Sequence, residues 1–276
     1  MIPVSPYIMR SHHLARWLLY LVCAGVLAFL ILPVFAIIPL SFNAGTLLTY
    51  PLAGFSLRWY RALLHSPQWM SALRNSVLVA SGAAALATPV GALAALGLAR
   101  LRTAIKPLLV ALLLAPIFTP AIVVGVATYL LYARLGLVGT YLGLVLAHAT
   151  LAAPFVVLVV HAALQGFDVT LTRAAASLGA SPLMVFHRVL IPLLAPGVAA
   201  GAIFAFMTSF DEIVVTLFLA GTEQRTLPLQ MFAGVREQIS PIITVAATLL
   251  ATASAVLLGL VEVKRRQREK ARAVRR

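Results

Sequence analysis

Charged residues and cysteine are both scarce in this sequence. Only 10% of the 276 residues are charged, against roughly 25% in a typical soluble domain, and only seven are acidic. So few charges cannot cover the surface of a water-soluble protein of this length, which excludes an ordinary soluble fold. The single cysteine, Cys23, excludes an intrachain disulfide and a cysteine-based metal site. The sequence also lacks a Gly-x-x-x-x-Gly-Lys phosphate-binding loop, so we expect no ATP hydrolysis by this chain itself.

Long apolar runs make up most of the chain instead. Hydrophobic residues account for 62% of it, and the mean hydropathy is +1.02. A helix needs about 20 apolar residues to cross the roughly 30 Å of hydrocarbon in a bilayer. Six runs reach that length, and they predict an all-α, polytopic membrane protein with six transmembrane helices. The runs are 17–40, 76–98, 107–131, 141–164, 196–219 and 242–263.

The basic residues predict the orientation of these helices. Lysine and arginine total 21, and most of them fall on one side of the predicted topology. That side holds the N-terminal end, the 100–106 loop, the 165–195 loop and the tail after residue 263. Because cytoplasmic loops carry the excess of Lys and Arg, both termini are predicted to be cytoplasmic. The basic tail is predicted to lie near anionic lipid rather than nucleic acid, since no aromatic residues alternate with its charges to stack on bases.

The loop between the fourth and fifth runs has its own helical pattern. Asp168 or Thr170 is placed to cap a first short helix, and Gly179 to end it in the left-handed conformation. Ser181 is placed to cap a second helix with Pro182 in its first position. Small and apolar residues share one face of the first helix: Leu171, Ala174, Ala175 and Leu178. This face either lies on the protein's own bundle or fits a groove on a partner protein.

The same loop resembles a known signature. Arg173-Ala-Ala-x-x-x-Gly179, followed after nine residues by Val189-Leu-Ile-Pro192, resembles the E-A-A-x-x-x-G-x9-I-x-L-P motif of the permease subunits of bacterial ATP-binding-cassette importers. In that family the segment is the coupling helix, which docks on the cytoplasmic ATPase. The resemblance therefore implies that Arg173, Ala174, Ala175, Gly179 and Pro192 contact the ATPase. Arg173 stands where the family has glutamate, which reverses one charge of that contact.

The resemblance extends over most of the chain and suggests a branch of the family. The segments 55–63 (FSLRWYRAL), 72–76 (ALRNS) and 209–221 (SFDEIVVTLFLAG) are similar to the second permease subunit of spermidine/putrescine importers. This implies a type I importer fold, with residues 1–70 holding the first helix and an outer loop, 71–263 the transport domain, and 264–276 a basic tail. It also implies a bacterial inner-membrane location, a homologous second permease, cytoplasmic ATP-binding subunits that carry ATP and Mg²⁺, and a periplasmic solute-binding protein. No cofactor is expected on this chain.

Two adjacent acids lie in the fifth run, where charge is expensive. A carboxylate near the bilayer centre costs on the order of 2.5–3.5 kcal/mol on insertion scales. If the run is one helix, Thr208, Glu212 and Thr216 form a polar stripe, and Asp211 points elsewhere. We therefore predict that Glu212 faces the substrate pathway and that Asp211 is tied to a neighbouring helix. The alternative is that both acids are structural anchors between helices.

Two histidines lie in the fourth run. His148 and His161 have no second metal ligand at helical spacing, so both are predicted to be hydrogen-bonded packing residues.

The favoured function is an ATP-driven importer of a small cationic solute, in which this chain is the non-catalytic permease. Import of another amine, an opine, an amino-acid derivative or an anion is the alternative within the same class. An ion-coupled secondary carrier is the alternative from another class, and it would need no docking helix.

Overall fold

The computed structural model describes residues 6–166, 168–237 and 240–256. The predicted tail 264–276 lies outside the described residues. Helices dominate the described chain, as predicted for an all-α protein. In order, the elements are α1 (Pro6–Ser41), α2 (Arg58–His65), α3 (Pro67–Arg100), α4 (Lys106–Phe118), α5 (Ala121–Leu135), α6 (Tyr141–Gln165), α7 (Val169–Ser177), α8 (Pro182–Val185), a π-helical turn (Phe186–Leu190), α9 (Ile191–Phe210), α10 (Val214–Leu219), α11 (Leu227–Glu237) and α12 (Pro241–Val256).

Contacts among the described residues divide them into two compact units: 67–233 is one, and the described residues before 67 and after 233 are the other. In the 67–233 unit, α3, α6 and α9 pack against one another. Their shared core is built mainly from alanine and valine, such as Ala83, Ala152, Val156 and Ala205. Small residues allow helix backbones to approach closely where lipid removes the usual hydrophobic drive for association. A second core joins α5 and α10 to the N-terminal half of α6 through residues including Leu144 and Val215.

In the other unit, the chain after α1 is ordered by side-chain hydrogen bonds. The Asn43 side chain accepts from the Gly45 and Ala53 amides and donates to the Leu47 carbonyl oxygen. The Ser41 hydroxyl lies 2.7 Å from the Tyr60 hydroxyl, which ties the end of α1 to α2. The segment between α1 and α2 is therefore a loop with a defined, hydrogen-bonded conformation.

Four helices in the described residues are long and apolar enough to cross a membrane: Arg16–Ser41, Pro67–Arg100, Tyr141–Gln165 and Pro182–Phe210. The predicted third span, 107–131, is not one straight helix. It is the pair α4 and α5, bent by 101° at Thr119 and Pro120, because Pro120 lacks the amide hydrogen needed to continue α4. Counting that pair as one span gives five. Of the predicted sixth span, 242–263, the described part is the shorter apolar helix α12.

The predicted fifth span, 196–219, was wrong at both ends. Its helix begins at Pro182, so the expected second loop helix is the first part of the same rod, and it ends at Phe210. A break at Asp211, Glu212 and Ile213 follows, and α10 is a separate helix of six residues. Mostly apolar residues resume at Ile213 and continue to Leu219, which is why the run looked continuous.

Candidate functional site

The 168–192 segment begins with the cap predicted from its sequence. An oxygen of the Asp168 carboxylate accepts a hydrogen bond from the Thr170 amide at 2.8 Å, which satisfies a free donor at the start of α7. The hydroxyl of Thr170, and then its amide, lower the pKa of Asp168 below its ordinary value because they stabilise the charged form. The α7 helix therefore starts at an ionised cap at neutral pH.

The α7 helix ends in a turn that only glycine accommodates easily. Gly179 has φ +85°, within the left-handed region. The Gly179 amide donates to the Ala176 carbonyl at 3.0 Å, and the Ala180 amide donates to the Ala175 carbonyl at 3.1 Å. This pair of bonds is the Schellman motif, and it confirms the predicted left-handed end of the helix.

The chain then turns directly into the long helix that crosses the unit. The Ser181 hydroxyl accepts from the Met184 amide at 3.3 Å and Pro182 occupies the first turn, as predicted. Between α8 and α9 the helical hydrogen bonding widens to a π-helical turn, in which the Ile191 amide donates to the Phe186 carbonyl. Pro192 follows at once, where its ring would meet the Arg188 carbonyl in a regular α-helix. The π-helical turn thus lies at the position where proline disrupts α-helical bonding.

The predicted docking residues all lie within this one segment. Arg173, Ala174, Gly179 and Pro192 are exposed, and Ala175 is half-buried. Large apolar side chains beside them are also exposed, most of all Leu178 at 89%. The segment borders an open cavity of about 620 Å³, whose wall also includes Arg100 at the end of α3. The cavity's other lining residues are Thr172, Ala176, Ala180, Pro182, Leu183, Val185, Phe186 and Leu190.

The acidic residues lie at the other end of the long helix, in the break. Asp211 is exposed and caps the end of α9, while Glu212 is partly buried. The Glu212 carboxylate accepts from the Val215 amide at 2.8 Å, so one of its oxygens caps the start of α10. Because the helix is broken, Thr208, Glu212 and Thr216 do not form the continuous stripe that we predicted. Thr208 is partly buried on α9, and Thr216 is fully buried on α10.

His148 of α6 connects the two sides of this break. Its Nδ1 lies 2.8 Å from the Ser209 hydroxyl and 3.1 Å from the Ser209 carbonyl oxygen, and its Nε2 lies 3.0 Å from the Thr216 hydroxyl. His148 is therefore a hydrogen-bonded buried residue, as predicted. At His161 the structure shows no predicted hydrogen bond on Nδ1, which has no partner among the described residues. Sequence reasoning missed the connection made by His148, since Ser209 and Thr216 are more than 60 residues away.

The loop after α10 is also held by polar side chains. Asn75 of α3 donates to the carbonyl oxygens of Glu223 and Arg225, at 2.7 and 2.9 Å. The Tyr141 hydroxyl donates to the Asn75 side-chain oxygen at 2.9 Å. The starts of α3 and α6 thus share one network with the 220–226 loop.

Comparison with known proteins places this architecture in a family. Residues 87–266 match the family described as binding-protein-dependent transport system inner membrane component. The matched region includes the 168–192 segment and the break. The chain belongs to this family. As a family member it is a multi-pass subunit of an inner-membrane transport system.

Several members of the family with known names are similar along most of the chain. The spermidine/putrescine transport system permease protein PotC of Escherichia coli (strain K12) is 33% identical over 234 residues, which are 85% of this chain and 88% of PotC. The putrescine transport system permease protein PotI of the same strain is 33% identical over 241 residues, 85% of each chain. The molybdenum transport system permease protein ModB of Mycobacterium bovis is 34% identical over 229 residues, 76% of this chain and 87% of ModB.

Solved structures support the fold of this permease family member. A chain of a bacterial ABC transporter involved in the import of the acidic polysaccharide alginate matches with a TM-score of 0.67 and 16% identity, covering 96% of this chain and 99% of that one. A chain of an amino acid ABC transporter matches with a TM-score of 0.56 and 21% identity, covering 75% and 98%. At these identities the likeness concerns the fold alone, and it agrees with the predicted type I importer architecture.

Proposed function

We propose that this chain is the permease of an ATP-driven importer for small cationic solutes of the polyamine class. One observation carries the proposal: a single helical rod, Pro182–Phe210, joins the exposed 168–192 segment to the acidic break. Movement of the segment by a partner is therefore transmitted along the rod to Asp211 and Glu212. Carboxylates within a membrane-spanning segment cost free energy of insertion, and they are retained where they serve a solute or ion pathway.

The 168–192 segment is the proposed docking site for a cytoplasmic ATP-binding subunit. Exposed Leu178, Leu171 and Ala174 give the smooth apolar surface that a groove on a partner accommodates. Arg173 adds a positive charge, for which an acidic residue on the partner is the expected complement. ATP and Mg²⁺ bind to that subunit rather than to this chain.

The proposed assembly adds a homologous second permease and a periplasmic solute-binding protein, with both termini of this chain in the cytoplasm. Within it, residues 1–70 supply the first helix and outer loop, 71–263 the transport domain and 264–276 a tail near anionic lipid. Co-purification in detergent tests the assembly. An ATP-binding subunit retained by the wild-type chain, and lost after Leu178→Asp, is the expected result. Retention unchanged by Leu178→Asp overturns the docking site.

The solute class rests on the acids at the break and on the similarity to PotC and PotI. Glu212 and Asp211 line the proposed pathway, with Thr208 and Thr216 beside them. In proteoliposomes of the full complex, Glu212→Gln and Asp211→Asn should each raise the KM for putrescine, because each removes a charge that attracts a diamine. Glu223→Gln is the matched control, since Glu223 is exposed in the 220–226 loop.

The same assay separates the competing solutes. Competition by spermidine but not by molybdate is expected, whereas the similarity to ModB makes molybdate the principal alternative. Inhibition by molybdate, or an unchanged KM in both acidic-residue variants, overturns the cationic assignment. Uptake by the isolated chain under an ion gradient would instead favour a secondary carrier.

A further inference from the structure

We propose that His148 is the positioning residue that fixes the angle between α9 and α10 at the Asp211–Ile213 break, and so places the Glu212 carboxylate. Its functional consequence rests on the proposed role of Glu212 in the pathway. The part of the proposal that concerns the angle between α9 and α10 does not depend on that role.

The break itself has few backbone bonds to define it. The Asp211 amide still donates to the Met207 carbonyl at 3.1 Å, but the Glu212 amide lies 3.4 Å from its acceptor, the Ser209 carbonyl oxygen. Regular helical bonding resumes only with the Leu217 amide, which donates to the Ile213 carbonyl at 2.8 Å. The angle between the two helices is therefore set largely by side-chain contacts.

His148 supplies those contacts from a third helix. It is 0% exposed, and α6 packs against both α3 and α9, so its imidazole ring is a fixed reference point. One ring nitrogen contacts Ser209, the penultimate residue of α9, and the other contacts Thr216 of α10. A single side chain thus bridges both helix ends across the break.

The bridge across the break exists in either tautomer of the ring. With the hydrogen on Nε2, the ring donates to the Thr216 hydroxyl, Thr216 donates to the Glu212 carbonyl oxygen at 3.0 Å, and the Ser209 hydroxyl donates to Nδ1. With the hydrogen on Nδ1, the ring donates to the Ser209 carbonyl oxygen at 3.1 Å, and the Thr216 hydroxyl donates to Nε2. The ring is bonded to both Ser209 and Thr216 in each case.

The network ends on Glu212, which gives His148 its functional importance. The Glu212 main chain is bonded to Thr216, and its carboxylate is bonded to the Val215 amide. A shift of α10 relative to α9 therefore moves the carboxylate with it. Leaving a buried donor or acceptor without a partner is costly, so loss of the imidazole should favour a different helix angle.

A distance measured between two labels, one on each side of the break, reports on the angle between α9 and α10. In a Cys23→Ser background, cysteines replace Met207 and Leu217, which are 53% and 50% exposed on either side of the break, and carry spin labels. The full permease complex should show one narrow label-to-label distance. His148→Leu should broaden or shift that distance, and His148→Gln, whose amide can both donate and accept hydrogen bonds, should restore it in part.

A matched control lies on the same helix. His161→Leu removes an imidazole whose Nδ1 has no hydrogen-bond partner in the described chain, so it should leave the distance unchanged. Should His148→Leu fail to fold, Thr216→Val decides, because it removes only one hydroxyl at constant shape. An unchanged distance in His148→Leu, or in Thr216→Val if that variant is needed, overturns the proposal.

Transport kinetics give the functional readout. His148→Leu should raise the KM for putrescine roughly 5- to 30-fold, the factor that one or two kcal/mol represents. A changed distance with normal transport in Glu212→Gln would leave His148 as the positioning residue and overturn the pathway role of Glu212. A raised KM in Glu212→Gln with an unchanged distance in the His148 variants would support the pathway role of Glu212 and overturn the positioning role of His148.

Discussion

A Cβ atom placed on Gly91 of α3 would lie 2.7 Å from the Cβ of Val156 on α6 and 3.0 Å from the Ala153 carbonyl oxygen. A Cβ on Gly201 of α9 would lie 3.2 Å from Val156 Cγ1. Val156 therefore packs closely against two glycines on two different helices. This contact sets the spacing of the three-helix core.

Gly91→Ala should destabilise the protein, because the added methyl meets backbone as well as a β-branched side chain. The expected loss is about 1–3 kcal/mol, the usual cost of overpacking. Gly97→Ala, on the same helix with nothing within 4 Å of the new Cβ, should instead stabilise by roughly 0.5–1 kcal/mol. Thermal unfolding of both variants in one detergent checks the sign. Equal melting temperatures would contradict the close approach.

Gly179→Ala should destabilise the turn between α7 and α8 and slow ATP-driven uptake. An L-residue in the left-handed conformation costs roughly 1–2 kcal/mol, so the turn and the end of α7 should open more often. Faster hydrogen exchange in α7 and slower ATP-driven uptake are the expected results. Gly166→Ala is the control, since Gly166 has φ −84° and its new Cβ would approach nothing closer than 3.8 Å. Equal effects of the two substitutions would exclude the conformational explanation.

The Asp168 cap gives α7 a defined pH dependence. Because the folded-state pKa is lowered, the charged cap stabilises α7 above the ordinary value of 3.8, and this stabilisation is lost as the pH falls through the lower folded-state value. Protection of the α7 amides should therefore be constant between about pH 5 and pH 8 and decrease in more acidic solution. Asp168→Asn should keep the cap without the acid transition, whereas Asp168→Ala should lose protection at every pH. A transition near neutral pH would show that another group controls the helix.

The local chemistry of the 168–192 segment was predictable because each signal lies within a few residues of its effect. Asp168, Gly179 and Ser181 act on the turn beside them, and all three act as predicted. The break at Asp211 was missed for the opposite reason. The apolar run continues from Ile213 to Leu219, and composition does not reveal where helical hydrogen bonding stops.

The role of His148 was hidden by distance along the chain. Its partners lie on two other helices, so only the packed structure brings the three side chains together. Pro120 marks the bend between α4 and α5, but the prediction rested on the length of the apolar run. In each case the missing information was tertiary.

The π-helical turn also determines which side of α9 meets the bundle. Leu194, Gly201, Ala205 and Ser209 are the buried residues of that helix. Each α-helical residue rotates the side-chain direction by about 100°, whereas an i→i+5 turn holds one residue more than an α-helical turn and absorbs that rotation. If the same residues formed an uninterrupted α-helix, this buried face would be rotated by about 100° relative to the 182–185 part. The rotational phase between the start of the long helix and its buried face thus depends on a single wide turn.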